Sequence, residues 1–235
     1  INYYTRRPSN DFNGFINATI GQNSYLSLFT ELNGISIGKL KNAVQFLYKK
    51  GDGFRDNNQF EQYNGTLKTN YNKSDKKNLY SKFSINYENS QATYTGLTEY
   101  SFETDPYFNP KEDDNFKILR TSLDFIETTK INRDLLETRK LFGSYFDRRW
   151  WRETDIFVSE SNIMEELDHQ TIEDSFIDDI IRVGNGETNF GILRTFYVLG
   201  YEQSYKLNHN LFNFNSVAEY GIRAYWERFI DDKVI

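Results

Sequence analysis

Hydrophobic and polar residues alternate along much of this chain, and the alternation is strictest between residues 62 and 88. Two such runs flank the charged, turn-forming residues 72–78, and a period of two residues predicts an antiparallel β-hairpin with one apolar face. Its apolar positions are Tyr63, Leu67, Tyr71, Phe83, Ile85 and Tyr87. The opposite face, which includes Asn64, Lys68, Lys82 and Asn86, is so polar that the two faces are expected to meet different solvents.

Similar runs predict further strands on both sides of this hairpin. They cover residues 12–22, 26–33, 44–48, 116–127, 136–151, 193–207 and 216–229. Asn33 is followed by Gly34, which is a strong signal for a tight hairpin turn, so the second of these strands is expected to end there.

The connections between the predicted strands alternate between short and long. Short turns fall near residues 33–41, 72–78, 130–134 and 208–213, whereas residues 49–60, 89–115 and 152–190 form long loops; the turn near 22–24 is the exception. Short turns at one end and long loops at the other are typical of bacterial outer-membrane barrels. Because small barrels fill their interior with apolar side chains, polar inner faces predict a wide barrel that holds water or a plug.

The composition is compatible with a membrane barrel. Aromatic residues make up 17% of the 235 residues although hydrophobic residues make up only 38%. No run reaches the roughly 20 apolar residues of a spanning helix, but a barrel strand needs only about 10 alternating residues. The net charge of -6 argues against a nucleic-acid partner, and the absence of cysteine excludes disulfides and thiolate metal sites.

The second long loop is acidic, and its run around residues 163–181 predicts a short helix. Its carboxylates could be interpreted as metal ligands or as a catalytic pair, but the fixed spacing around a glycine and the rigid positioning that such sites require are missing. We therefore expect a solvated loop. The carboxylates in question are Glu153, Glu165, Glu166, Asp174, Asp178 and Asp179.

A few other residue types invite a functional interpretation. His169 and His209 are far apart in sequence and are expected at the surface. Trp150, Trp151 and Trp226 lie near predicted outer strand ends, where an aromatic girdle is favoured over sugar stacking. Gly51 and Gly53 lack the Lys-Ser/Thr and helix of a phosphate loop, so they are expected to permit a sharp turn.

Four segments of the chain are similar to motifs of one protein family. They are INYYTRRP at the start, KKGDGFRDN at 49–57, GLTEYSFETDPYFNPKEDDNFKILRTSLDF at 96–125 and RTFYVLGYEQSY at 194–205. In order, they resemble the end of the plug domain, the loop after the third barrel strand, the third extracellular loop with its returning strand, and the RxxxVxGxEPRY segment of the TonB-dependent outer-membrane receptors, in particular of the ferric dicitrate receptor branch. Gln203 and Ser204 replace the expected Pro-Arg.

The resemblance implies an all-β fold, an antiparallel transmembrane barrel of 22 strands with an N-terminal plug. Residues 1–11 would be the tail of the plug and its linker, and residues 12–235 the first nine or so barrel strands. Since the chain begins at Ile1 without a signal-peptide pattern, we expect it to be a fragment or a processed piece. The implied location is the outer membrane of a Gram-negative bacterium, in contact with its lipid.

The implied function is active transport of an iron chelate, ferric citrate or another siderophore, driven by the TonB complex through the missing plug. No bond is made, so no enzyme activity and no cofactor are expected. An anionic chelate requires convergent cations, and arginine suits carboxylates because its donors form a planar fork. Alignment with the family places Arg194 on a ligand-contacting position, and Arg148, Arg149 and Arg152 near another. Pairing with the acidic loop or with lipid phosphates is the alternative for all four.

Two other classes of protein remain open from the sequence. A soluble carbohydrate-binding β-sandwich would use the aromatic residues for binding and would enclose an apolar core. A passive outer-membrane porin would have the same strands but no plug.

Overall fold

The chain folds into an open antiparallel sheet of nine strands with a separate two-stranded hairpin beside it. The structure, a computed structural model, describes residues 5–91, 96–109, 111, 113–159, 180–188 and 190–234. The sheet comprises β1 (Asn13–Ile20), β2 (Leu26–Ile37), β3 (Leu40–Gly51), β4 (Phe60–Ser74), β5 (Lys77–Ser90), β6 (Asn115–Lys130), β7 (Leu135–Arg152), β10 (Phe190–Leu211) and β11 (Phe214–Val234). The remaining elements are helix α1 (Glu99–Thr104) and the hairpin β8 (Asp155–Ser159) and β9 (Ile180–Gly184).

The strand order confirms the predicted all-β antiparallel fold and the alternation of its connections. Each strand of the sheet pairs with the next, in the order β1-β2-β3-β4-β5-β6-β7-β10-β11. Tight turns at 38–39, 75–76, 131–134 and 212–213 lie at one end, called here the short-turn end, and the loops 52–59, 91–114 and 153–189 lie at the long-loop end. No helix in the described part of the chain is both long and apolar enough to cross a bilayer.

The two faces of the sheet differ as the opening hairpin predicts. Leu67 and Phe83 are cross-strand partners and are both 44% exposed on the apolar face, called here the outer face. Lys68 and Tyr80 project from the opposite, inner face, where each is only 5% exposed. The apolar face of this hairpin is therefore the open one, and the polar face is the sheltered one.

The outer face carries an apolar band that is bounded towards the long loops by a row of mostly charged residues and, on β6 and β7, by two further charged residues towards the short turns. On β6 and β7 the boundaries are Lys117 and Arg149 towards the long loops, and Glu127 and Arg139 towards the short turns. Positions ten residues apart in an extended strand are about 34 Å apart, which a strand tilt of about 40° reduces to a height of roughly 26 Å. This height matches the apolar band of about 25 Å that surrounds outer-membrane barrels.

Tyrosines lie at the upper edge of this band, directly below its charged boundary. The rings of Tyr48 and Tyr63 lie 4.9 Å apart, and those of Tyr63 and Tyr87 6.4 Å apart. The hydroxyls of Tyr48 and Tyr63 both donate to Glu61 Oε1, at 2.8 and 2.7 Å. Such amphipathic rings suit the level at which apolar and polar surroundings meet.

Asn33 and Gly34 form a β-bulge, so the predicted hairpin turn at this pair is wrong. Strand β2 continues to Ile37, and its register with β3 shifts between Asn33 and Ile35. Gly34 adopts a positive φ of 73°, and Asn33 Oδ1 accepts hydrogen bonds from the amides of Gly34 and Ser9, each at 2.8 Å. The pair therefore uses the conformational freedom of a turn, but it bends a continuing strand and holds the N-terminal segment.

That N-terminal segment, residues 5–11, lies against the inner face near the short-turn end. Thr5 Oγ1 lies 3.3 Å from the Tyr80 hydroxyl, and the Arg7 guanidinium stacks 4.0 Å from the centroid of the same ring. Arg7 also reaches Asn78 Oδ1 at 3.5 Å. The segment therefore leads along the inner face to β1.

Helix α1 and the β8–β9 hairpin were not predicted from the sequence. Of the helix expected around residues 163–181, residues 163–179 lie outside the described part of the chain. Ile180 and Ile181 belong to β9, so for these two residues the prediction was wrong. The isoleucines favour a strand because their branched side chains suit an extended backbone.

Candidate ligand-binding site

Arg148 and Arg194 are directly opposite each other on the inner face, near the long-loop end. They are cross-strand partners in β7 and β10, and Asp231 on β11 is the next residue in the same row. Arg194 Nε donates to Asp231 Oδ1 at 2.9 Å. Like charges at directly opposed positions destabilise a sheet unless an anion offsets them, and a single aspartate offsets only one of these two cations.

Arg152 extends this cationic surface towards the loops. It is on the same face of β7 as Arg148, and its guanidinium lies 5.2 Å from the Trp150 ring centroid and 5.5 Å from that of Phe190. Trp150 in turn makes an edge-to-face contact of 6.3 Å with Phe116. Aromatic stacking holds the planar cation at the mouth of the inner face.

Three phenylalanines form a ladder on the inner face directly below the arginine pair. The rings of Phe146 and Phe196 are 5.7 Å apart, and those of Phe196 and Phe229 are stacked at 4.7 Å. The guanidinium carbon of Arg120 lies 5.2 Å from the centroid of the Phe146 ring, and that of Arg194 lies 6.0 Å from the centroid of the Phe229 ring. We refer to Arg120, Arg148, Arg152, Arg194, Phe146, Phe196 and Phe229 as the arginine–phenylalanine patch.

Sequence reasoning did not single out Arg120 or the phenylalanine ladder. Their signal was nevertheless present, because these phenylalanines stand at positions where the alternation of the strands requires a polar residue. The patch can hold an anion by several guanidinium groups against apolar rings. The Nε of Arg148 is buried and has no hydrogen-bond partner in the described ranges, so one donor of the patch is unsatisfied in this structure.

Arg149 lies on the other face of the sheet, away from the three other arginines singled out from the sequence. Its Nε donates to both carboxylate oxygens of Asp147, at 2.9 and 3.1 Å, and Asp147 also accepts from Thr195 Oγ1 at 2.9 Å. Successive residues of a strand point to opposite faces. Arg149 is therefore not part of the arginine–phenylalanine patch.

The described residues of the three long loops pack into one unit above the sheet, called here the loop cap. The loop 52–59 joins the loop 91–114 through reciprocal side chain to backbone hydrogen bonds between Asn57 and Asn109, at 2.9 and 3.1 Å. The centroids of the Phe54 and Tyr107 rings lie 4.8 Å apart across the same junction, with the ring planes tilted by 36°. The apolar core of the cap is formed by four buried side chains of the hairpin β8–β9, namely Ile156, Val158, Ile181 and Val183. Tyr100 and Phe108 pack against this core.

Two buried carboxylates join the second loop of the cap to the third. Glu153 is 1% exposed, and its carboxylate accepts from the amides of Asp113 at 2.8 Å and Gly186 at 3.0 Å. Asp114 is fully buried and accepts from the Glu153 amide at 2.8 Å. Burial raises the pKa of both carboxyls, and the hydrogen bonds from the amides oppose this rise.

Glu153 therefore does not belong to a solvated loop, and for this residue the expectation from the sequence was wrong. A carboxylate that receives two backbone amides is a structural device that closes a loop. Nearby, the buried Lys111 forms an ion pair with Asp155. The other acidic residues of the loop that the sequence singled out, Glu165, Glu166, Asp174, Asp178 and Asp179, lie outside the described residues, as does His169.

The structure also locates two of the tryptophans, one histidine and one glycine that the sequence singled out. Trp151 is on the outer face at the long-loop end, where its ring covers Gly191. Trp226 is 53% exposed at mid-height, opposite Leu199, so its expected position near a strand end was wrong. His209 is partly exposed next to the 212–213 turn. Gly53 adopts a φ of 81° and permits the expected sharp turn. Within the described ranges, no group of three metal-ligating side chains converges.

Replacing Glu153 with glutamine is expected to loosen the loop cap without unfolding the sheet. The side-chain amide of the glutamine would present its own N–H to one of the two backbone amides that now donate to the carboxylate. That buried backbone donor would lose its partner, which destabilises the cap by about 1–3 kcal/mol. Hydrogen exchange should become faster in β8 and β9 and remain unchanged in β6. The matched control is Glu187→Gln, which changes an exposed residue of the same loop; equal exchange in the two variants would contradict the proposed role.

Comparisons with known proteins establish the fold of this chain. No family model matches the sequence, and no curated protein matches it. Among solved structures it is similar to the ferric-catecholate import receptor Fiu from E. coli K12 in its open form, with a TM-score of 0.74, 11% identity, and coverage of 97% of this chain and 36% of that one. The ferric citrate transporter FecA in the unliganded form gives a TM-score of 0.73 at 13% identity, covering 97% of this chain and 31% of that one.

A third similar structure is the complex of FpvAI with pyocin S2, with a TM-score of 0.72, 6% identity, and coverage of 97% of this chain and 28% of that one. The chain therefore spans about a third of the length of the structures that it matches. At these identities the likeness concerns the fold of the wall, which these proteins share over nearly the whole of this chain.

Proposed function

We propose that this chain, which has the barrel fold of the TonB-dependent outer-membrane receptors, is part of a transporter that takes up an iron chelate across the outer membrane of a Gram-negative bacterium. Ferric citrate or another carboxylate siderophore is the proposed ligand. The observation that carries the proposal is the Arg148–Arg194 pair, which lies on the inner face of the sheet, on the side of the loop cap. Solved structures with the same fold include an import receptor for a ferric catecholate and a ferric citrate transporter.

The chemistry of the patch suits a ligand with several anionic oxygens. A guanidinium group offers two parallel N–H donors to a carboxylate, and such charge-assisted bonds are about twice as strong as neutral ones. The ligand would enter from the long-loop end and exchange its water for the donors of Arg148, Arg152 and Arg194. Binding and release involve no covalent step, so we propose no enzymatic role and no cofactor; the iron belongs to the cargo.

The proposed function also divides the chain into a short N-terminal segment and a barrel segment. Residues 1–11 would be the tail of the plug and its linker, and residues 12–235 the N-terminal part of the barrel. The contacts of Thr5 and Arg7 with Tyr80 on the inner face support this division. The TonB complex is the proposed energy-transducing partner, acting through a plug that precedes these residues, and the outer face is proposed to contact lipid.

A soluble carbohydrate-binding sandwich is less compatible with the exposed residues. Such a fold buries its apolar face against a second sheet, whereas Leu67, Phe83, Leu123 and Leu199 are each at least 40% exposed on the outer face. The alternative of a passive porin shares that outer face, and it differs in having no plug and no dependence on TonB.

Growth under iron limitation tests the proposed function. A strain that lacks the gene is expected to lose growth on ferric citrate as its sole iron source, and to regain it with the gene but not in a strain without TonB. A ferric catecholate serves as the comparison chelate. Loss of growth on the catecholate alone would overturn the choice of citrate, and unchanged growth on every chelate would overturn the transport function.

A further inference from the structure

A pair of cations on the outer face is not explained by the uptake of a chelate. Lys117 on β6 and Arg149 on β7 are directly opposite each other in the upper charged row of that face. Directly opposed side chains have Cβ atoms about 5 Å apart, and like charges there are destabilising. The pair therefore has the same electrostatic problem as the inner arginines, but on the side of the wall that faces away from the patch.

Both cations have donors available for a ligand. Lys117 is exposed and takes part in no ion pair within the described ranges. Arg149 is paired with Asp147 through its Nε, and within the described ranges neither of its two Nη groups donates a hydrogen bond. Together with Asp147 the two cations carry a net charge of +1, and three separate nitrogen groups remain to donate to one anion.

The level of the pair on the wall identifies the kind of anion. In the next row of the outer face towards the short turns, Tyr87 and Leu119 begin the apolar band, and Asp147 is the partner of Arg149. Trp151, two residues beyond Arg149, is on the same face towards the loops. A group at this level lies between an apolar surface below and water above, which is where the headgroup of a lipid is located.

We propose that Lys117 and Arg149 bind a phosphate on the headgroup of an outer-leaflet lipid whose acyl chains lie along the apolar band below them. A lipid phosphate satisfies both observations together, because it supplies the anion that the opposed cations need and the apolar chains that cover the band. A free phosphate would supply only the first. The proposal rests on the membrane location that is part of the proposed function, but it does not depend on which chelate is transported.

Native mass spectrometry of the protein purified from membranes in detergent tests the proposal, with diphosphorylated lipid A as the probe. The wild-type protein is expected to retain the probe, and Lys117→Gln combined with Arg149→Gln should weaken its retention by roughly tenfold, since each cation near a membrane surface contributes a favourable contact. The matched control is Lys50→Gln, which removes a cation of the same charged row whose cross-strand partner is Glu61. It is expected to retain the probe like the wild type.

Three outcomes would overturn the proposal. The first is equal retention by the double variant and the Lys50→Gln control. The second is equal retention of fully dephosphorylated lipid A, which would leave only apolar contacts, and the third is displacement of lipid A by an equal concentration of inorganic phosphate, which would indicate a site for free anions. Chelate uptake by the same variants separates the two proposals: lipid binding without any uptake would contradict the proposed function and leave the lipid site intact.

Discussion

Glutamine at both Arg148 and Arg194 is expected to lower the affinity for ferric citrate by at least about a hundredfold. Each substitution removes a cation that can donate two hydrogen bonds to a carboxylate, and hydrogen bonds to charged groups contribute about 1.5–3 kcal/mol each. The loss is increased because Asp231, which Arg194 now neutralises at 2.9 Å, would remain as an unpaired anion beside the ligand. Titration of the purified protein with ferric citrate measures the effect directly.

Two further variants make this prediction specific. Arg149→Gln removes a cation from the same strand but from the opposite face, so it is expected to leave the affinity for the chelate unchanged. Asp231→Asn, which releases Arg194 from its ion pair, should increase that affinity. If Arg148→Gln/Arg194→Gln bound ferric citrate as well as Arg149→Gln did, the arginine–phenylalanine patch would not be the binding site.

Arginine in place of Leu123 is expected to destabilise the folded protein in a membrane by about 2–4 kcal/mol. Leu123 belongs to the middle row of the apolar band, with Leu67, Phe83 and Leu199, and a charged side chain at the midplane of the lipid face carries a cost of that size. Urea unfolding of the protein refolded into phospholipid vesicles measures the difference.

The neighbouring residue supplies the control for this second prediction. Ser122 points to the inner face, where its cross-strand partners Ser84 and Ser144 are small and polar. Ser122→Arg is therefore expected to change the free energy of unfolding by less than about 1 kcal/mol, because the new side chain can reach water. Equal destabilisation by the two variants would show that the face assigned to lipid is wrong.

The alternation of side chains was sufficient to predict the sheet, because an alternating strand must turn one face to each of two surroundings. The hairpin of β4 and β5 forms as predicted, and in it Tyr63 lies opposite Tyr87 and Leu67 opposite Phe83. Loop lengths then indicated which ends of the strands share one side, since a turn as short as 75–76 joins only neighbouring strands. Both features depend on local sequence and need no knowledge of distant contacts.

Features that depend on tertiary contacts could not be predicted in this way. The dipeptide at Asn33 has the same local chemistry in a hairpin turn and in a bulge, and only its contact with Ser9 distinguishes the two. Glu153 looks like any acidic loop residue until Asp113 and Gly186 donate to it from distant segments. The short strands of the cap are apolar for only a few residues, which is too short for a periodic pattern to be recognised.

The candidate site was predicted in part. Arg148, Arg152 and Arg194 were singled out from the resemblance and from their charge, and the structure brings them to one face, although their contact with a ligand stays a prediction. Arg149 was grouped with them because it follows Arg148 directly in the sequence, yet adjacent residues of a strand lie on opposite faces. Phe146, Phe196 and Phe229 come together only through the pairing of three strands, which no single segment reveals.

The consecutive order of the strands has a consequence for the kinetics of assembly. Neighbouring strands of the sheet are also consecutive in the chain, with one exception. Between β7 and β10 lie residues 153–189, which form a separate hairpin of their own, β8 and β9. Loop-closure entropy grows only as the logarithm of loop length, at about 0.6 kcal/mol for each doubling. The wall can therefore form by successive addition of hairpins, and lengthening or exchanging the loop between β7 and β10 should change the rate of that step far less than a mutation that breaks the register of β10.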